Sequence, residues 1–146
     1  MVCVIQITGR KDVGKTVLAE KLISLAKSRN LRVLAIKQSH HSPDLPEKDS
    51  YRMQSAGADL VLLRGGGMWA SFSRYLVLDR LDFDIVIVEG FRDSKLGFKV
   101  HIGPDPPGDA DLVLELEDAL KRYEDILNMA KCYSDSISLL KFLKNN

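Results

Sequence analysis

The stretch from Ile5 to Thr16 constrains this chain more than any other. An apolar run, Val2 to Ile7, leads into Gly9-x-x-x-x-Gly14-Lys15-Thr16, and an amphipathic pattern begins at Val17. Strand, glycine-bearing turn and helix, in that order, are the context in which this spacing marks a phosphate-binding loop. The chemistry accounts for the spacing. A turn with glycines lets successive backbone N–H groups curl around an anion, and the helix that follows aims its free N–H groups and positive dipole end at the same point. Lys15 would reach the β- and γ-phosphates, and the Thr16 hydroxyl would take one position on Mg²⁺. The candidate nucleotide-binding residues here are Gly9, Lys11, Asp12, Val13, Gly14, Lys15, Thr16 and Val17.

The pattern downstream supports an α/β fold. Val2–Ile7 is rich in β-branched residues without alternation, as expected of a strand covered on both faces. Leu18, Leu22, Leu25 and Ala26 share one helical face, and Asn30 suits the helix end. Leu31–Ile36 reads as a second strand, which makes a βαβ unit with a right-handed crossover. A long polar connection with prolines then runs from Lys37 to Arg52, at the sheet edge where open α/β folds bind ligands. Ser50–Ala56 reads as a short helix and Ala58–Leu63 as a third strand. Gly65, Gly66 and Gly67 read as a flexible turn with positive φ, not as a second phosphate loop. Met68–Phe72 suits a short strand, and Ser73–Leu81 is ambiguous between helix and strand, with helix favoured. Strands follow at Phe98–Ile102 and Asp111–Leu116, and helices from Asp118 and Ser136. Both helices are expected to pack against the sheet.

Asp84–Phe91 is the second strong signal. An apolar strand ends in Glu89 and is followed by Gly90, and phosphate-loop proteins carry an acidic residue there for Mg²⁺. Asp84, at the other end of the same strand, is expected on the far side of the sheet. These segments together predict a three-layer P-loop NTPase sandwich, a mostly parallel sheet with helices on both faces. The strands near Met68, Phe98 and Asp111 are candidates for an antiparallel edge or a dimer extension, because unpaired edges invite pairing.

Composition excludes other classes. With 146 residues, 45% of them hydrophobic and 28% charged, one soluble domain covering 1–146 is the expectation. A net charge of +1 gives no clustered footprint for nucleic acid. No apolar run reaches membrane-spanning length, and Met1 leads straight into a strand without a signal peptide. Cytoplasm follows by default. Cys3 and Cys132 lack metal-ligand spacing and read as a reduced pair. Adjacent histidines, His40 and His41, are poor metal ligands by spacing.

Four segments now stand in order: Gly9–Thr16, the Lys37–His41 strand end, the stretch from Asp49 and Ser50 through Arg52 to Ala58, and Val88–Phe91. In this order and at these distances, over residues 2–116, the chain resembles the MobB family of molybdopterin-guanine dinucleotide biosynthesis adapter proteins. The resemblance implies GTP bound with Mg²⁺, weak GTP hydrolysis at most, and a homodimer. It further implies an adapter role beside the guanylyltransferase that joins GMP to molybdopterin. By position it adds Lys37, His40, His41 and Arg52 to the nucleotide face, and names Thr16, Asp49 and Glu89 as residues near the metal. Lys99 matches a basic residue after the Glu-Gly-Phe segment. Gln38 and Arg92 depart from the usual pattern, and 117–146 form a helical tail outside the match, expected to cover a surface or to join in dimerisation.

The bound base is not legible from residues, because no Asn-Lys-x-Asp segment is present. GTP rather than ATP rests on the resemblance. The alternative reading is a P-loop small-molecule kinase. A kinase closes an arginine-bearing lid, whereas Arg64, Arg74, Arg80 and Arg92 are scattered here.

Overall fold

A computed structural model describes all 146 residues. The elements are β1 (Val2–Gly9), α1 (Lys15–Ser28), β2 (Val33–Lys37), α2 (Asp49–Ser55), β3 (Val61–Gly65), β4 (Met68–Phe72) and β5 (Ile85–Glu89), then β6 (Phe98–Ile102), β7 (Leu112–Leu114), α3 (Leu116–Lys121), α4 (Tyr123–Asn128), β8 (Lys131–Tyr133) and α5 (Ile137–Lys144).

The main sheet runs β2-β5-β1-β6-β7, with β8 against the start of β1. All pairings along the path are parallel, and only β8 runs antiparallel. The central strand explains why its sequence does not alternate. Ile5 and Ile7, with Ile85 and Ile87 of β5, face a core shared with Leu18 and Leu22 of α1, Ala119 of α3, and Ile126 and Leu127 of α4. Val2 and Val4, with Val86 and Val88, face a second core completed by Leu81, Leu96 and Leu139 of α5. Both faces are dry, so both sets of positions must be apolar. Each large side chain taken fully out of water adds roughly 1.5–3 kcal/mol before entropy is counted.

Helix α1 ends as the sequence predicts. Asn30 takes φ 59°, its N–H donates to the Lys27 carbonyl, and the Leu31 N–H donates to that of Ala26. That pair of bonds is the Schellman arrangement, which satisfies carbonyls the helix would leave bare. The glycine turn forms at Gly66 and Gly67, with φ 56° and 76°, and joins β3 to β4, whereas Gly65 ends β3 without a positive φ. Two positive φ values in a two-residue loop match the right-handed twist of a hairpin.

Several expectations are corrected. Ser73–Leu81 is irregular rather than helical. The Ser73 hydroxyl accepts the Tyr75 N–H at 3.2 Å, a local turn that competes with a helical start, and Leu76, Val77 and Leu78 stand consecutively rather than on one helical face. The strands near Phe98 and Asp111 form no antiparallel edge: β6 lies inside the sheet against β1, and β7 pairs parallel with β6. Only Met68–Phe72 pairs antiparallel, with β3 in a separate two-stranded sheet. The helix expected from Asp118 is two helices, α3 and α4, broken at Arg122.

Cys3 and Cys132 are not a reduced pair but are joined by a disulfide. The antiparallel register of β1 and β8 sets them opposite one another, a pairing that three residues of β8 could not announce in the sequence. Residues 117–146 cover the sheet on both faces, through α3 and α4 on one side and α5 on the other. No helix is long and apolar enough to cross a membrane.

Candidate functional site

The carboxyl ends of β1, β2, β5 and β6 share one sheet edge, because all four run parallel. The loop between β1 and α1 sits on that edge. Gly14 stands at the helix start in the left-handed region, φ 97°, and Leu116 packs where a Cβ on Gly14 would lie, at 2.4 Å. No side chain could occupy that position without moving the wall of the loop. Lys15 folds back across the loop, its Nζ donating to the carbonyls of Gly9 at 2.8 Å and Arg10 at 2.7 Å. The ammonium thus spans the mouth of the turn.

The sheet register supplies the rest. Glu89 is the partner of Ile7 on one side and Lys37 on the other. The Thr16 hydroxyl donates to the Glu89 carboxylate at 3.1–3.2 Å, and Lys37 Nζ lies 3.9 Å from the same group. The Glu89 side chain is 12% exposed and that of Lys37 62%, so a half-enclosed carboxylate opens toward solvent on one side only. A hydroxyl and a carboxylate side by side offer the hard oxygen ligands that Mg²⁺ prefers. Gln38 then ties the two strand ends together. Its N–H donates to the Glu89 carbonyl at 2.9 Å, and its Oε1 accepts the Phe91 N–H at 2.8 Å.

Of the sequence-predicted residues, Gly9, Gly14, Lys15, Thr16, Lys37 and Glu89 converge here. Lys11, Asp12 and Val13 form the crest of the loop, with Lys11 and Asp12 exposed, and Val17 lies on the first helical turn. Asp49, Arg52, His40 and His41 are not part of this cluster. Asp49 faces Arg52 at 3.8 Å on α2 and lines a cleft against Leu63, while both histidines lie exposed on the loop after β2. No group of three His, Cys, Asp or Glu gathers anywhere in the chain.

Two residues support the site from below: Lys99, which the resemblance named without a role, and Gln6, which was not foreseen. Gln6 is fully buried. Its Nε2 lies 2.8–3.1 Å from the carbonyls of Gly90, Phe91 and Ser94, and its Oε1 accepts the Leu96 N–H. Its register partner Lys99, also fully buried, donates to the Arg92 carbonyl at 2.8 Å and to both Asp109 oxygens at 2.7 and 2.9 Å. Two side chains thus fold the loop after Glu89 around themselves. The hydrogen bond from Lys99 holds the Asp109 carboxyl below the usual range against its desolvation. Burial would raise that of Asp111, but Lys95 and the Lys99 N–H together lower it. The signal was there to read: a Gln and a Lys interrupting apolar strands.

His101 completes the frame. Its Nε2 lies 2.8 Å from the Pro104 carbonyl, which can only accept, so that nitrogen carries the hydrogen and Nδ1 accepts from the Thr8 hydroxyl at 2.9 Å. The next residue, Asp105, pairs with Arg10 of the loop through its carboxylate and accepts from Arg92 through its carbonyl.

Comparison with known proteins gives a consistent result. Residues 4–121 match the family model described as molybdopterin guanine dinucleotide synthesis protein B, MobB. The molybdopterin-guanine dinucleotide biosynthesis adapter protein of Haemophilus influenzae is 39% identical over 102 residues, covering 62% of this chain and 57% of that protein. The protein of the same description from Escherichia coli is 32% identical over 97 residues, covering 57% and 55%. The matched part therefore spans little more than half the length of these relatives. Among solved structures, Bacillus subtilis MobB has a TM-score of 0.61 at 20% identity, over 90% of this chain and 99% of that one. A MobB homologue from Bacillus stearothermophilus has a TM-score of 0.54 at 23% identity, over 86% and 95%. At these identities the two structures support the fold alone.

Proposed function

The chain belongs to the MobB family, and from that premise we propose that it is a GTP-binding adapter in the formation of molybdopterin guanine dinucleotide. The observation that carries the reading is the grouping of Lys15 over the loop carbonyls with Thr16 on Glu89. A triphosphate would displace the Lys15 ammonium from those carbonyls and take their place as its partner. Thr16 and Glu89 would hold Mg²⁺, which neutralises charge on the β- and γ-phosphate oxygens. Lys37 would balance the Glu89 carboxylate until the cation arrives. Hydrolysis is proposed to be slow, so that the nucleotide is delivered to the guanylyltransferase that joins GMP to molybdopterin.

The proposal includes a homodimer formed through the β3–β4 hairpin. Met68 and Trp69 of β4 are 72% and 65% exposed, and Leu62 and Leu63 of β3 are exposed beside them. A two-stranded sheet with apolar residues on both faces is marginal alone, and a second copy offers the same apolar surface by symmetry.

The test is reconstitution with the guanylyltransferase, molybdopterin and GTP. Adding the chain should raise the yield of dinucleotide, while the chain alone turns GTP over slowly. Rapid GTP turnover without a partner would contradict the adapter role. Phosphoryl transfer to a small molecule would favour the kinase alternative.

A further inference from the structure

Cys3 and Cys132 tie the last strand of the chain to the start of β1, across a sequence separation of 129. The segment that follows Cys132 is held weakly by other means. Strand β8 has three residues, of which Lys131 and Cys132 are exposed. Of α5 only Leu139 is buried, and Ile137 is 68% exposed. A cavity of about 370 Å³ is lined by Lys95 and Leu96 of the body and by Tyr133, Ser138, Leu139 and Phe142 of the tail. Beside it the Tyr133 hydroxyl donates to the Leu96 carbonyl at 3.2 Å. A segment with so little buried surface opens locally at small cost, so the disulfide is what fastens it to the sheet.

The same segment reaches the candidate site. Phe142 of α5 meets Phe91 edge to face, with ring centroids 5.4 Å apart and planes at 78°. Phe91 stands two residues past Glu89 and takes φ 53°, a conformation that a non-glycine residue keeps only when its surroundings hold it. Three contacts do so. The Phe91 N–H donates to Gln38 Oε1 at 2.8 Å, and its carbonyl accepts from Gln6 Nε2 at 2.8 Å. The third is the Phe142 ring, which comes from the tail. The disulfide itself is open to chemistry, because Cys132 is exposed and Cys3 half-buried, and exposed disulfides are the ones that thiols reduce readily.

We propose that the Cys3–Cys132 bond is a redox latch: its reduction by a soluble dithiol frees β8 and α5, withdraws Phe142 from Phe91 and loosens the turn that follows Glu89. One thiolate of the dithiol attacks Cys132 Sγ, and the Cys3 sulfur leaves and takes a proton. The second thiol of the reagent then displaces Cys132, which is protonated in turn, so two electrons pass to the protein and the dithiol becomes a disulfide. The link to nucleotide affinity rests on the reading of Glu89 given above. The test compares the full chain, air-oxidised and in excess dithiothreitol, by amide hydrogen exchange and by affinity for GTP with Mg²⁺. Reduction should speed exchange in 131–146 and in the turn Gly90–Ser94 while α1 stays protected. Affinity should fall roughly two- to tenfold, the scale of one aromatic pair. Phe142→Ala in the oxidised chain should reproduce the faster turn and the weaker binding with β8 still protected, and dithiothreitol should weaken its binding no further. Cys132→Ser should match the reduced wild type and ignore the reagent. Two free thiols in the air-oxidised protein overturn the latch, as does exchange in 131–146 that is unchanged on reduction or that rises equally in α1. A turn unaffected by Phe142→Ala overturns the route to the site. A wild type that binds no nucleotide in either state overturns the nucleotide reading, and a tail and turn that still open together on reduction then sustain the latch.

Discussion

Strand β1 and the β3–β4 hairpin are both apolar in sequence, yet they treat water in opposite ways. Val4, Ile5 and Ile7 of β1 are fully buried between two layers, and the polar residues among them, Gln6 and Thr8, are buried with their hydrogen bonds made. The hairpin is covered only in part, by α2 against β3, where Val61 is buried. Leu62, Leu63, Met68 and Trp69 stand in solvent, and Arg64 lies over the Trp69 ring at 5.5 Å. Hydrophobic sequence alone does not distinguish these fates. What distinguishes them is whether helices fold back over the strand. The sheet is finished within one chain, with both faces covered. The hairpin presents an apolar surface that this chain leaves exposed.

That contrast can be broken at either end. The largest effect is expected inside the sheet. Gln6→Leu keeps the volume but strands three carbonyls and one N–H, and it should cost about 2–4 kcal/mol in chemical denaturation, the scale of unsatisfied buried polar groups. Magnesium-dependent nucleotide binding should weaken with it, because the loop after Glu89 loses its support. A smaller, different effect is expected at the hairpin. Replacing Trp69 and Met68 together by serine should weaken self-association by about 1–3 kcal/mol, as for interface anchors, read by sedimentation. Nucleotide affinity per chain should be unchanged. Loss of nucleotide binding with the dimer intact would mean that the hairpin belongs to the nucleotide site.

The smallest effect is expected from acid. Arg32 donates hydrogen bonds to Asp84 at the far end of β5 and holds its carboxyl at about 2, while Asp109 and Asp111 are also held low. Folded values below the unfolded ones mean that this stability is complete above the ordinary carboxylate range and is lost as pH falls through it toward about 2. Denaturation midpoints should be flat near neutrality and drop below about pH 4. The three side chains are 35–41% exposed, so the drop should be shallow and reduced by salt.

The sequence made the sheet and the glycine turn after β1 legible because both depend on local rules. Continuous β-branched runs, Gly9 and Gly14 at fixed spacing, and Glu89 at a strand end each state a requirement of geometry. Asn30 was legible for the same reason. What stayed hidden depends on partners distant in the chain. The bond between Cys3 and Cys132 needs the register of a three-residue strand. The roles of Gln6 and Lys99 need the loop that returns over them, and the separation of Asp49 from Thr16 and Glu89 needs the placement of α2 beside the hairpin. The irregular path of Ser73–Leu81 shows a third case, in which a local serine turn prevails over weak helical pattern.

The account stands on the phosphate loop, and calorimetric titration of the wild type and Lys15→Ala with GTP and with ATP, with and without Mg²⁺, tests it most directly. One GTP per chain should bind in a magnesium-dependent way, GTP should bind more tightly than ATP, and Lys15→Ala should lose about 2–5 kcal/mol of binding, the scale of a removed partner in a close charge pair. Affinity for both nucleotides that is indifferent to magnesium and unchanged in Lys15→Ala would contradict it.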